Sequence, residues 1–162
     1  MMKLALQPLT REAFKPFGDV VETEGATHFP INNGTTTRFH DLAALQFSGS
    51  NAKPIVSIFR GQAFTLPLEI TMMEHHPYGS QLFMPLSGHP YVVVVAPKGE
   101  LQQQQVKAFL ATGQQGVNYH SGVWHHPLIS LEASSDFLIV DRAGSEANCV
   151  EQDLSQSILL FF

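Results

Sequence analysis

Cysteine is nearly absent from this 162-residue chain: Cys149 stands alone. No intrachain disulfide can form, and the pattern fits a reducing compartment. No histidine or basic residue lies near Cys149 in the sequence to activate it as a nucleophile. Charge is scarce as well, at 14% Asp, Glu, Lys and Arg, against about 25% in ordinary soluble domains. So little charge leaves surface to be covered, and a homodimer is expected. Basic residues are fewer than acidic ones, 9 against 14, for a net charge of −5. That balance, with no Lys/Arg cluster, argues against nucleic acid and anionic membranes as partners. The longest apolar run, residues 91–97, is too short to span a bilayer. The start "MMKLALQPLT" lacks the apolar core and cleavage site of a signal peptide. A soluble cytoplasmic protein is the expectation.

Helical signal is also sparse. "TREAFKPFGD" is the best case, with Thr10 as cap, Ala13, Phe14 and Phe17 on one face, and Gly18 as terminator. What fills the chain instead is strand. "DVVET", "TTTRFHDL", "PIVSIFR", "LEITMMEHH", "SQLFMPL", "YVVVVAP", "KAFLA", "VWHHPLI", "DFLIVDR" and "SILLFF" are short, rich in β-formers and separated by Gly, Pro and Asn. About ten such runs without alternating long helices predict one all-β domain over 1–162, an antiparallel barrel or sandwich.

Polar residues interrupt this pattern at two places. In "LPLEITMMEHH", strict alternation puts Leu68, Ile70, Met72, Glu74 and His76 on one inward face. An inward carboxylate needs a ligand, a metal or a hydrogen-bonding neighbour. Five of the eight histidines (75, 76, 120, 125 and 126) fall in this stretch and in "HSGVWHH". His75 and His126 alternate away from His76 and His125 and read as outward or supporting residues. Of the arginines, Arg11, Arg60 and Arg142 read as solvent-facing, whereas Arg38 in "TTTRFHDL" suits a bidentate grip on a carboxylate. Asn33, in "INNG" just before it, belongs to a turn that can fold over a barrel mouth.

The order Glu74-x-His76, Gln81, Gly88, followed by "HSGVWH" with Gly122 and His125, resembles the two motifs of the cupin superfamily. Glu74 stands where a cupin has its first motif histidine, and Gln81 where it has its glutamate. Oxygen and imidazole donors of this kind suit a divalent transition metal. The resemblance narrows further. "INNG", "RFHDL", "EHHPYGSQLFMPLSG" and "GVNYHSGVWHHPL" are similar to the ureidoglycolate lyase family of allantoin (purine) degradation. That likeness implies a cupin-type barrel and a homodimeric enzyme that eliminates urea from ureidoglycolate to leave glyoxylate. It also implies a divalent metal, with nickel suggested. On that reading Glu74, His76 and His125 are the catalytic candidates. Asn33, Arg38, Gln81 and His120 would bind the small-molecule substrate, and Glu74, His76, Gln81 and His125 would hold the metal. Two alternatives stay open: a ureidoglycolate amidohydrolase or other metal-dependent cupin enzyme, and a non-catalytic small-molecule-binding cupin.

Overall fold

Six consecutive apolar residues, Tyr91–Ala96, form a strand in which every residue is buried. A strand with no polar face must be covered on both sides, and this one is. Tyr91, Val93 and Val95 belong to one hydrophobic cluster, and Val92, Val94 and Ala96 to a second. In the computed structural model, which describes residues 1–162, the strand sits within a nine-stranded sheet. Its main order is Met2–Ala5, Val150–Phe161, Leu68–His75, Trp124–His125, Tyr91–Ala96, Lys107–Ala111 and Gln7–Pro8. Ile129–Leu131 also pairs with Tyr91–Ala96, and Ala63–Phe64 pairs with Ile129–Leu131. A five-stranded sheet, ordered Gly18–Val21, Gly116–Tyr119, Gln81–Pro85, Ser135–Ala143 and Lys53–Gly61, packs on one face of it.

The all-β expectation holds, and the architecture is consistent with a cupin-type sandwich. Most strand pairs are antiparallel as expected, and three short ones are parallel. Met2–Ala5 runs parallel to Val150–Phe161, Gln7–Pro8 to Lys107–Ala111, and Ala63–Phe64 to Ile129–Leu131. Each parallel partner is a strand of two or four residues laid along an exposed edge. There it satisfies backbone groups that would otherwise stay open.

The cluster between the two sheets is closed at one end by the helix Arg11–Phe14. Thr10 caps it as expected, its Oγ1 accepting the Ala13 N–H at 3.2 Å. Pro16, which has no N–H to donate, stops it after one turn. Phe14 and Phe17 are buried and lie 5.9 and 6.4 Å from the Phe109 ring. Gly18 follows at φ +156°, where a Cβ would land on the Asn118 carbonyl. Only glycine lets Gly18–Val21 pair this closely with Gly116–Tyr119.

Alternation fails within Leu68–His75. Ile70 and Met73, of opposite parity, are both buried in the same cluster. The cause lies in the partner strand. Asp153 pairs with Met72 but Ile158 with Ile70, so residues 154–157 stand opposite Thr71 alone. After this irregularity the faces exchange. Glu74 and His76 therefore do not share the face of Leu68 and Ile70, as strict alternation predicts. That face now carries His75, whose ring packs 4.3 Å from buried Trp124, so His75 is not an outward residue.

Arg142 is a second correction. Its side chain is 1% exposed. It donates to Ser48 O at 2.6 Å and Glu146 at 2.8 Å and lies over the Tyr78 ring, so it staples two loops to the sheet.

One element stands apart. His28–Ile31 and Thr36–Phe39 form a hairpin that pairs with no other strand. Its tip, Asn32, Asn33 and Gly34, is in the left-handed region that Asn and Gly tolerate best.

Candidate active site

Three strands bring the polar residues together. His125 pairs across the sheet with Glu74, and Gln81 enters from the facing sheet, on the strand that pairs with Gly116–Tyr119. Ligand atoms of Glu74, His76 and His125 all lie within 4.8 Å of one another. Gln81 Oε1 is 3.1 Å from His76 Nε2. These are the four residues that the sequence singles out as metal donors.

The protonation pattern follows from the backbone. His76 Nδ1 lies 2.7 Å from Asn148 O, and His125 Nδ1 lies 3.1 Å from Val123 O. A carbonyl can only accept, so each Nδ1 carries a ring proton, and in a neutral ring the Nε2 turned toward the cluster is then a lone pair. His125 Nε2 is buried and has no hydrogen-bond partner. It faces Glu74 Oε1 at 3.6 Å, too far for a hydrogen bond. Burial holds the His125 ring below its ordinary value, which favours this neutral form. The His125 ring in turn draws the Glu74 carboxyl below its ordinary value, against the opposing effect of burial. Two ring nitrogens, a carboxylate and an amide oxygen thus converge. That is the donor set a divalent cation takes, with the far side of each ring anchored by a carbonyl. The residues present fit such a metal.

Neighbours with no sequence signal support the cluster. Tyr119 stacks on His125, ring centroids 4.3 Å apart and planes 5° apart, which fixes the imidazole plane. Asp141 accepts from Gln81 Nε2 at 3.1 Å. Burial holds the Asp141 carboxyl above its ordinary value, and its Oδ1 has no partner. Cys149 Sγ lies 3.4 Å from Glu74 Oε2. Burial and the Glu74 carboxylate push this thiol up to about 11, so it is a protonated donor rather than a nucleophile. Asp141 and Cys149 lie 60 and 75 residues along the chain from Gln81 and Glu74 and could be found only once the fold was known.

The cluster opens into a cavity of about 520 Å³, with Glu74, Gln81 and His125 on one wall and Phe59, Phe83 and Leu128 on another. The one basic residue at its rim, Arg60, alternates to the other face of its strand, where it grips Asp136 at 2.8 and 3.1 Å. Its guanidinium is taken up by that pair. His120, Asn33 and Arg38 are not among its lining residues. His120 Nε2 is held 3.0 Å from Asp19, which also accepts from Asn118 and the Ala44 N–H. Asn33 and Arg38 sit on the separate hairpin, exposed.

The chain matches the family model described as ureidoglycolate lyase over residues 1–160. A protein named ureidoglycolate lyase from Burkholderia mallei (strain NCTC 10229) is 56% identical over 160 residues, 99% of this chain and 94% of the relative. One of the same name from Pseudomonas savastanoi pv. phaseolicola is 53% identical, over 99% and 95%. A third, from Brucella anthropi, is 58% identical, over 91% and 88%. Likeness of this extent, carried from end to end of the chain, makes it a member of the ureidoglycolate lyase family.

Proposed function

We propose that this protein is a lyase that eliminates urea from ureidoglycolate and leaves glyoxylate, as a cytoplasmic homodimer in purine degradation. The observation that carries the reading is the convergence of Glu74, His76, Gln81 and His125 at the end of a cavity, in a chain of this family.

The chemistry asks for little. One carbon of the substrate bears a hydroxyl, a ureido nitrogen and a carboxylate. The hydroxyl proton leaves, its O–H pair becomes the C=O bond, the C–N bond breaks, and the nitrogen leaves with a proton. Glu74, kept ionised beside His125, takes the hydroxyl proton. The Nε2 of His125, 3.6 Å from Glu74 Oε1, or that of His76 relays this same proton to the departing nitrogen. Each well-placed transfer is worth about 10²–10⁴ in rate. Gln81 stands next to His76 and holds the ureido group by its amide. A divalent transition ion, nickel by family likeness, would be held by Glu74, His76, Gln81 and His125, and would acidify the substrate hydroxyl and offset its carboxylate charge.

Incubated with ureidoglycolate, the protein is expected to yield urea and glyoxylate in equal amounts. Ammonia and carbon dioxide instead would make it an amidohydrolase and sink the lyase reading. Exhaustive chelation is expected to abolish turnover, and one added divalent ion to restore it. Full activity in metal-free protein would leave only the acid–base route.

The hairpin supports the dimer. A lone two-stranded ribbon is marginal in water, yet this one leaves Phe29 and Phe39 each 38% exposed and gives Arg38 no hydrogen-bond or ion-pair partner. Covered by a second copy, it would bring Asn33 and Arg38 to the partner's cavity, whose own arginine, Arg60, is already paired with Asp136. Sedimentation should then show a dimer, and Arg38→Ala should raise KM for ureidoglycolate about tenfold or more, the loss of a charge-assisted pair. An unchanged KM would place the carboxylate grip elsewhere.

A further inference from the structure

Gln81 is the odd member of the cluster. A carboxylate shows oxygen at either end, but an amide shows oxygen at one end and an NH₂ group at the other. Turned the wrong way, Gln81 would aim its NH₂ at the His76 Nε2 lone pair and donate to it. That orientation is locally attractive, and it would occupy one metal donor and withdraw another. Something must oppose it.

The only other hydrogen-bond partner of the Gln81 side chain is Asp141, whose Oδ2 lies 3.1 Å from Gln81 Nε2. Asp141 comes from Ser135–Ala143, the strand next to Gln81–Pro85, where Val140 pairs with Leu82. A carboxylate accepts and an amide oxygen cannot donate to it. The Asp141 contact therefore requires the NH₂ end to face Asp141 and Oε1 to face His76. The second Asp141 oxygen, Oδ1, is buried without any partner. A residue selected for stability alone would not leave it so.

We infer that Asp141 is a positioning residue that holds the amide of Gln81 oxygen-first toward His76 and so makes Gln81 a metal donor. The inference deepens the metal reading above and rests on it. In families of this shape a carboxylate in place of Gln81 needs no such guide. Here the guide and the amide form a pair.

The test reads metal affinity, not turnover. Cobalt(II) binding is followed by its visible spectrum in competition with a chelator. Asp141→Ala is expected to weaken binding about 10- to 100-fold. Asp141→Leu, nearly the same shape as the native side chain, should do the same and covers the case in which the alanine variant fails to fold. In the Gln81→Glu background, Asp141→Ala should cost nothing, because a carboxylate presents oxygen whichever way it turns. Equal losses in both backgrounds, or no loss with Gln81 in place, would overturn the inference, as would the failure of both Asp141 variants to fold. Cobalt(II) that does not bind the wild-type protein sinks the metal reading and this inference together. Urea release by that same protein would show that the lyase reading survives without them.

Discussion

Glu74→Gln is expected to cut urea release about 10²–10⁴-fold, the worth of one positioned proton transfer, while the protein stays folded. The two side chains have nearly the same shape, so the packing of the strand end is kept. What is lost is the capacity to accept the hydroxyl proton, since an amide at this position is not a base. The variant also keeps an oxygen for a metal but gives up its charge. Half-burial would by itself favour a protonated carboxyl, yet the His125 ring outweighs it and holds Glu74 in the ionised form the mechanism needs. The check is urea production under saturating substrate, alongside thermal unfolding. A variant within tenfold of wild type would remove Glu74 as the base and leave the role to a histidine. A variant with a collapsed melting curve would show that the carboxylate is holding the strand end instead.

Phe14→Ala is expected to cost about 3–5 kcal/mol of stability, a large part of the roughly 5–15 kcal/mol available to a typical domain. Phe14 is fully buried, and its ring meets Phe17 at 5.8 Å, Phe109 at 5.9 Å and Tyr119 at 6.2 Å. Its backbone sits in a one-turn helix capped by Thr10 and followed by Pro16, which cannot slide inward to fill the space. The melting temperature should fall by roughly 6–20 °C, at about 2–4 °C for each kcal/mol in a chain of this size. The loss should also be felt in the site, because Tyr119 carries the aromatic contact from Phe14 to the stacked ring of His125. A loss under about 1 kcal/mol would mean that the neighbouring rings close over the gap. Denaturant titration of the two proteins side by side decides it.

Much of this was legible before any coordinates. The run Tyr91–Ala96 has no polar residue, and only a strand covered on both faces accommodates that. Thr10, Phe14 and Phe17 announced a capped turn because capping and 3.6-residue spacing are local properties. Glu74, His76, Gln81 and His125 stood out because polar residues at the ends of apolar strands need a reason. Asp141 gave no such signal: in "DFLIVDR" it reads as the polar end of a strand. Its contact with Gln81 exists because two strands far apart in sequence lie side by side. Arg142 misled for the same reason, since the loops that bury it, at Ser48 and Glu146, are defined only by the fold. The inward face of Leu68–His75 was misassigned because its irregularity is written in residues 154–157 of another strand, some eighty residues on.

That irregularity has a bearing on how the gene can change. Point substitutions around Thr71 are read one at a time, each by its own neighbours. A single codon gained or lost between Ile70 and Met73 is read by everything downstream in the strand at once. With the irregularity opposite Thr71 kept, it would move every later residue of the strand to the other face, swinging Glu74 and His76 into the apolar layer where Met73 now lies, with Met73 and His75 turned toward the cavity. Residue spacing in this short window is therefore under tighter constraint than residue identity. Lineages of this enzyme can be expected to vary the letters at Thr71 and Met72 freely while keeping their number.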